Sequence, residues 1–118
     1  MSGLILHITS RRQWEAAQAA GVYRADTLDT EGFMHASHRE QVVRVANALF
    51  RGQRGLVLLC IDPARVRPEI HEEPGGPASQ ERFPHVYGPL NLDAVVDTLP
   101  FEPGPDGTFE LPAQIAGA

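Results

Sequence analysis

Two histidines in this chain each precede a hydroxyl residue by two positions: His7 and Thr9 in "LHITS", and His35 and Ser37 in "FMHAS". A third, His85, lies in "PHVYG". In an extended chain, residues two apart point to the same face. Each pair would therefore present an imidazole beside a hydroxyl. An imidazole changes charge near neutral pH and can donate or accept a hydrogen bond. Neighbouring strands carrying such pairs could build one polar cleft. Glu72 and Glu73, just before a Gly/Pro-rich stretch, are the carboxylates best placed to face it. The plainer reading is a set of structural histidines and two solvated acids.

Other chemistries find less support. His35-x-x-His38 straddles a strand end and a helix start, which is not the helical i,i+4 spacing of a catalytic zinc pair. The one cysteine, Cys60, lies in the apolar run "LVLLC" and reads as a small buried side chain. No metal is expected. There is no G-x-S-x-G nucleophile turn, P-loop or G-x-G-x-x-G fingerprint.

Several elements would have to position these groups. "GLILHI", 3–8, reads as a strand. The helix after it opens on Ser10 with Gln13, a capping-box spacing, and stops at Gly21. Residues 22–31 form a polar connection, long enough to cross over a site. "GFMHAS" is a short strand with Phe33 and His35 on one face. Ser37 and Glu40 give a second capping-box spacing, opening a helix with a buried stripe of Val42, Val45, Ala46, Leu49 and Phe50. A helix start at Ser37 would offer free N–H groups to an anion. "LVLLCI", 56–61, is continuously apolar and reads as the central strand. "RPEIHEE", 67–73, is a weaker strand, and 74–84 a mobile surface loop. Strands are expected over 85–90 and in "LDAVVDTLPFEP". "GPDG" would then turn the chain so that "TFELP" pairs as a hairpin. The sum is a single α+β domain over 1–118, core about 4–112. It holds five to six strands in small mixed or antiparallel sheets, with two main helices.

Composition sets the outer bounds. The 118 residues carry a formal net charge of −5, which argues against broad nucleic-acid binding. All ten cations are arginine, and Arg39, Arg44, Arg51 and Arg54 cluster against one acid, Glu40. Arginine suits phosphate, but such runs are commonly a solvated helix face. One cysteine excludes an internal disulfide. No apolar run reaches the ~18–20 residues that span a bilayer, so no membrane is expected and the default location is cytoplasmic. Nothing in the sequence sets an oligomeric state.

"LHITSRRQWEAAQAAGVYRADTLDTEGFMHAS", "LVLLCIDPARV" and "FPHVYGPLNLDAVV" together resemble the bacterial family called domain of unknown function 952, over about residues 4–110. Through it the chain resembles the ADP-ribosyltransferase superfamily and its RNA 2′-phosphotransferases. "HIT" at His7 and Thr9 is similar to their first motif, and "GFMHAS" at His35 and Ser37 to their second. Their third motif, a glutamate on a later strand, has no clear counterpart; Glu73 and His85 are the candidates. The resemblance implies an ADP-ribosyltransferase-like fold and NAD or a related nucleotide in a cleft between two small sheets, with transfer of ADP-ribose as the implied chemistry. His7 and Thr9 would hold the ribose, His35 and Ser37 the nicotinamide or phosphate side. Glu73 or His85 would polarise the reacting centre, and Tyr87 would stack or hydrogen-bond. A nucleotide-binding module without chemistry, and a partner-binding protein without a ligand, are the alternatives.

Overall fold

A computed structural model describes residues 3–75 and 80–116. Among the described residues eight strands form three small sheets, and every pairing is antiparallel. The α+β expectation holds, while the strand count is higher than five or six because a two-residue strand forms at Val22–Tyr23, in the stretch read as a polar connection, and the strand read over 85–90 divides into two. The central sheet runs β1 (Ile5–Ser10), β4 (Leu56–Ile61), β8 (Val95–Phe101). β4 is buried along its whole length, as its unbroken apolar sequence requires. A second three-stranded sheet runs β3 (Met34–His35), β6 (Arg82–Val86), β5 (Ile70–Pro74). β2 (Val22–Tyr23) and β7 (Leu90–Asn91) form a two-residue ladder.

Alternation along β1 and β4 divides the core in two. Ile5, Val57, Leu59 and Ile61 face one side with Tyr23, Met34 and Val86, against helix α1 (Arg11–Ala20) through Ala17 and Trp14. Leu6, Leu56, Leu58 and Cys60 face the other side with Leu99 and Phe101, against helix α3 (Arg39–Leu49) through Val42 and Ala46. Burial pushes the Cys60 thiol up to about 11, with Asp97 adding to the effect, so it stays a neutral packing group.

The caps show where local sequence was and was not decisive. Ser10 Oγ accepts from Gln13 N–H at 3.0 Å, and Gly21 ends α1 with φ +82°. The Gln13 side chain turns to Thr9 instead of back to the cap. α3 does not begin at Ser37. The backbone of Ser37 bridges to β1, its N–H donating to Leu6 O at 2.7 Å and its carbonyl accepting from Leu6 N–H at 2.8 Å. His38 is the N-cap, and Gln41 Oε1 accepts its N–H at 2.9 Å. The start moves one residue on because pairing with β1 holds Ser37 extended. The buried stripe rotates as well. Val42 and Ala46 are fully buried, whereas Leu49 is 73% exposed.

Two further expectations fail. The segment after β8 forms no hairpin. Phe109 N–H donates to Asn47 Oδ1 on α3 at 2.7 Å, and its ring stacks on Phe101 at 4.8 Å. Burying that aromatic on α3 outweighs strand pairing. The expected strand over 85–90 divides between β6, which starts earlier at Arg82, and β7. Residues 76–79 of the expected surface loop lie outside the described residues. Short helices α2 (Thr27–Thr30) and α4 (Ala113–Ala116) complete the chain. Among the described residues no helix is long and apolar enough to cross a membrane.

The β5–β6 hairpin is fastened to α3. Arg44 donates to both oxygens of Glu81 at 2.7 and 2.8 Å, and Gln41 donates to Glu81 at 3.0 Å and to Arg82 O at 2.7 Å. The Arg44 bonds, and then Gln41, hold the Glu81 carboxyl down at about 2. A depressed carboxyl stabilises the fold above its unfolded value, near 4.5, and loses that contribution as pH falls toward about 2. Both side chains are solvated, so the effect is small. Glu81→Gln is expected to lower the denaturant midpoint at pH 7, by a difference from wild type that shrinks steadily below pH ~4.5.

Candidate functional site

The three strands β3, β6 and β5 bring a row of histidines into register. His35 pairs with His85, and His85 with His71. Residues paired directly across antiparallel strands point to the same face, and alternation adds Phe33, Glu73, Phe83 and Tyr87 to it. The opposite face carries Met34, Ile70 and Val86 into the core. One side of this sheet is therefore packed and the other is a polar aromatic surface.

Phe33 organises that surface. Its ring stacks on His85 at 4.1 Å with a 16° interplanar angle, meets His35 edge-on at 4.9 Å and lies 5.3 Å from Tyr87. His35 meets His85 edge-on at 5.1 Å. Glu73 Oε1 accepts from Tyr87 Oη at 2.5 Å and from His85 Nδ1 at 2.8 Å. The Tyr87 bond, and then the His85 bond, hold the Glu73 carboxyl below the usual carboxylate range. The same Glu73 bond raises the Tyr87 phenol. With Glu73 ionised, Nδ1 of His85 is the donor. The other nitrogen, Nε2, is buried with no hydrogen-bond partner, in a side chain only 3% exposed. An orphaned buried polar atom costs about 1–3 kcal/mol; Thr27 Oγ1 is in the same position.

His35 is half exposed, and its Nε2 lies 3.0 Å from Glu31 Oε1. Glu31 comes from the polar connection over 22–31, which thus crosses the edge of the surface. His71 pairs with Glu69 at 2.9 Å and meets Tyr87 edge-on at 5.2 Å.

His7 does not share this surface. Its Nδ1 lies 2.5 Å from the backbone oxygen of His35 and its Nε2 2.8 Å from Tyr23 Oη. Both ring nitrogens are used within the protein. Desolvation holds the His7 ring below its ordinary pKa, against the raising effect of the His35 carbonyl. Thr9 is buried at 2.9 Å from Tyr23 Oη. Ser37 is buried with its N–H committed to Leu6, so it offers no amide to an anion. His35, Glu73, His85 and Tyr87 thus converge, while His7, Thr9 and Ser37 are engaged in contacts within the protein.

Sequence reading missed Phe33 as the stacking ring, Tyr23 and Gln13 as partners of His7 and Thr9, Glu31 beside His35, and His71 in the row. Alternation of His71 with Glu73 was a usable signal. Nothing local pointed to Tyr23, whose contacts come from strands distant in sequence. His38 Nε2 binds Glu72 at 2.8 and 3.0 Å, away from the row. A cavity of about 680 Å³ also lies outside it, lined by Leu4, Leu6, His38, Ile70, Leu99 and Ile115 among others.

A family model described as "Protein of unknown function (DUF952)" matches residues 8–98. The crystal structure of protein CC0527 from Caulobacter crescentus is 33% identical, with a TM-score of 0.84, covering 96% of this chain and 98% of that one. The solution NMR structure of CC0527 is 32% identical, with a TM-score of 0.75 and coverages of 98% and 99%. No curated protein matches. By the extent of the family match and the near-complete structural overlap, the chain belongs to the DUF952 family of proteins of unknown function.

Proposed function

We propose that this protein binds NAD or a related nucleotide on the face built by Phe33, His35, Glu73, His85 and Tyr87. The observation that carries the reading is the Glu73-held imidazole of His85 with its Nε2 left unpartnered. A ribose hydroxyl donating to that nitrogen would satisfy it once a shift of the covering side chains uncovers the imidazole, which is 3% exposed here. The donor set also fits the nicotinamide end. That ring is planar and, in the oxidised form, cationic; it meets aromatic faces here and an ionised carboxylate with its second oxygen uncommitted. No arginine alternates onto this face, and the chain has no lysine, so the phosphates would project beyond it. The similarity of "HIT" and "GFMHAS" to motifs of the ADP-ribosyltransferase superfamily supports the choice of nucleotide.

Transfer of ADP-ribose would break the bond between ribose and nicotinamide. Glu73 would then face the positive charge building on the ribose, and Tyr87 would hold the carboxylate in place. One observation favours binding without chemistry. His7, the ribose contact implied by the resemblance, has both nitrogens occupied internally. A release assay for nicotinamide separates the two readings.

Calorimetry with NAD+, NADH and inorganic phosphate tests the proposal. NAD+ is expected to bind about two- to fivefold more tightly than NADH, the ~0.5–1 kcal/mol of a cation over an exposed aromatic face. Phosphate alone is expected to give no heat. Equal binding of NAD+ and NADH would remove the nicotinamide ring from the site, and no heat with either at millimolar ligand would reject the reading.

A further inference from the structure

We infer that Phe33 is the movable cover of His85 and determines what the site accepts: its ring holds the place that a planar ligand ring takes on the imidazole, and binding exchanges one stack for the other. The identity of that ligand rests on the function proposed above; the covering of His85 by Phe33 does not.

His85 lies on β6, the middle strand of its sheet, with β3 and β5 on either side. The far face of that sheet is closed by Met34, Ile70 and Val86. Glu73 holds one ring nitrogen through Nδ1, and His35 presents only an edge, at 5.1 Å. Over the flat of the imidazole lies the Phe33 ring, stacked at 4.1 Å and 16°. A nearly parallel ring shields a face that an edge-on neighbour leaves open.

Of the two stacked rings, Phe33 is the less anchored. It is half-buried and packs in neither apolar core. Its ring contacts are His35, His85 and Tyr87, all on the polar surface. It stands one residue before the β3 ladder, which begins at Met34, so pairing with β6 does not fix it. Gly32 before it has φ +88°, a left-handed conformation that glycine adopts without steric penalty. His85, by contrast, is paired to a strand on each side and bonded to Glu73. Turning the Phe33 side chain to another staggered rotamer would clear the imidazole and leave the β3 ladder intact. The same movement opens the ring whose Nε2 lacks a partner. Specificity follows from the exchange. Turning Phe33 aside loses a ring pair, and a ligand that lays a planar ring on His85 restores it. A nicotinamide ring does so; inorganic phosphate or an aliphatic ligand does not.

Exposure of the imidazole is read from the relaxation that a soluble, neutral gadolinium chelate induces in the His85 ring protons. Wild type is expected to show weak relaxation, close to that of the buried Tyr23 ring. Phe33→Ala is expected to raise it severalfold, and Phe33→Trp to leave it low. His85 protons as protected in folded Phe33→Ala as in wild type would overturn the inference. Phe33→Leu removes the planar ring but keeps apolar bulk, and it carries the same expectation should Phe33→Ala fail to fold. NAD+ affinity gives the second reading. It is expected to be about threefold tighter in Phe33→Ala, where no ring has to be displaced, and about threefold weaker in Phe33→Trp, whose larger ring covers more. A folded Phe33→Ala that binds NAD+ no more tightly than wild type would reject the exchange. Absence of NAD+ binding to wild type would defeat the function proposed above, while the exposure of His85 in the Phe33 variants still decides whether Phe33 is its cover.

Discussion

Replacing Leu58 by alanine is expected to cost about 2–5 kcal/mol, while Leu49→Ala is expected to cost less than about 0.5 kcal/mol. Leu58 lies in the middle of β4 with no exposed surface, packed between the sheet and α3. Truncating it removes apolar contacts on every side and leaves a hole that close-packed neighbours fill only partly. Leu49 is in the last turn of α3 and is 73% exposed, so its truncation removes little contact. Urea or guanidinium melts of the two variants give the comparison directly. A loss above 2 kcal/mol at Leu49 would mean that α3 is rotated from the orientation described here.

That pair also marks how far the sequence could be read. The run "LVLLCI" identified the central strand because full burial leaves no polar residue in it. Ser10, Gln13 and Gly21 identified α1 because capping is local chemistry. The face of α3 was harder. Its apolar residues, Val42, Val43, Val45, Ala46, Leu49 and Phe50, allow two stripes about one position apart. Tertiary contacts chose between them. Gln41, which lies outside the apolar stripe, is buried where it fastens the β5–β6 hairpin. The same limit applies to the site. His35 and His85 stood out by type and position, and Glu73 and Tyr87 were candidates beside them. Which histidines would meet depended on register between strands 50 residues apart, beyond what local pattern contains. His7 shares the x-hydroxyl spacing of His35, yet β1 belongs to another sheet and its ring is bonded to the His35 carbonyl and Tyr23.

The largest expected loss of ligand binding is at His85. His85→Phe keeps a ring beneath Phe33 and removes both nitrogens. NAD+ affinity is expected to fall about tenfold, the ~1.4 kcal/mol of one hydrogen bond to a ribose hydroxyl. Glu73→Gln should behave differently. It retains an acceptor for Tyr87 and His85 but removes the charge, so NAD+ should lose its preference over NADH. The two variants thus separate the hydrogen bond from the electrostatic attraction. Circular dichroism and thermal melts run on each variant establish that the fold is retained. Wild-type affinity in folded His85→Phe would mean that Nε2 is not a ligand contact.

The most direct test of the account is a titration of ¹⁵N-labelled protein with NAD+, followed at the histidine ring nitrogens and the backbone amides. The His85 Nε2 resonance is expected to move as that atom acquires its missing partner, together with the amides of Phe33, His35 and Tyr87. Resonances around the separate cavity lined by Leu4, Leu99 and Ile115 should stay in place. Shifts confined to that cavity, or a His85 Nε2 resonance unmoved at saturating nucleotide, would contradict the assignment of the ligand face.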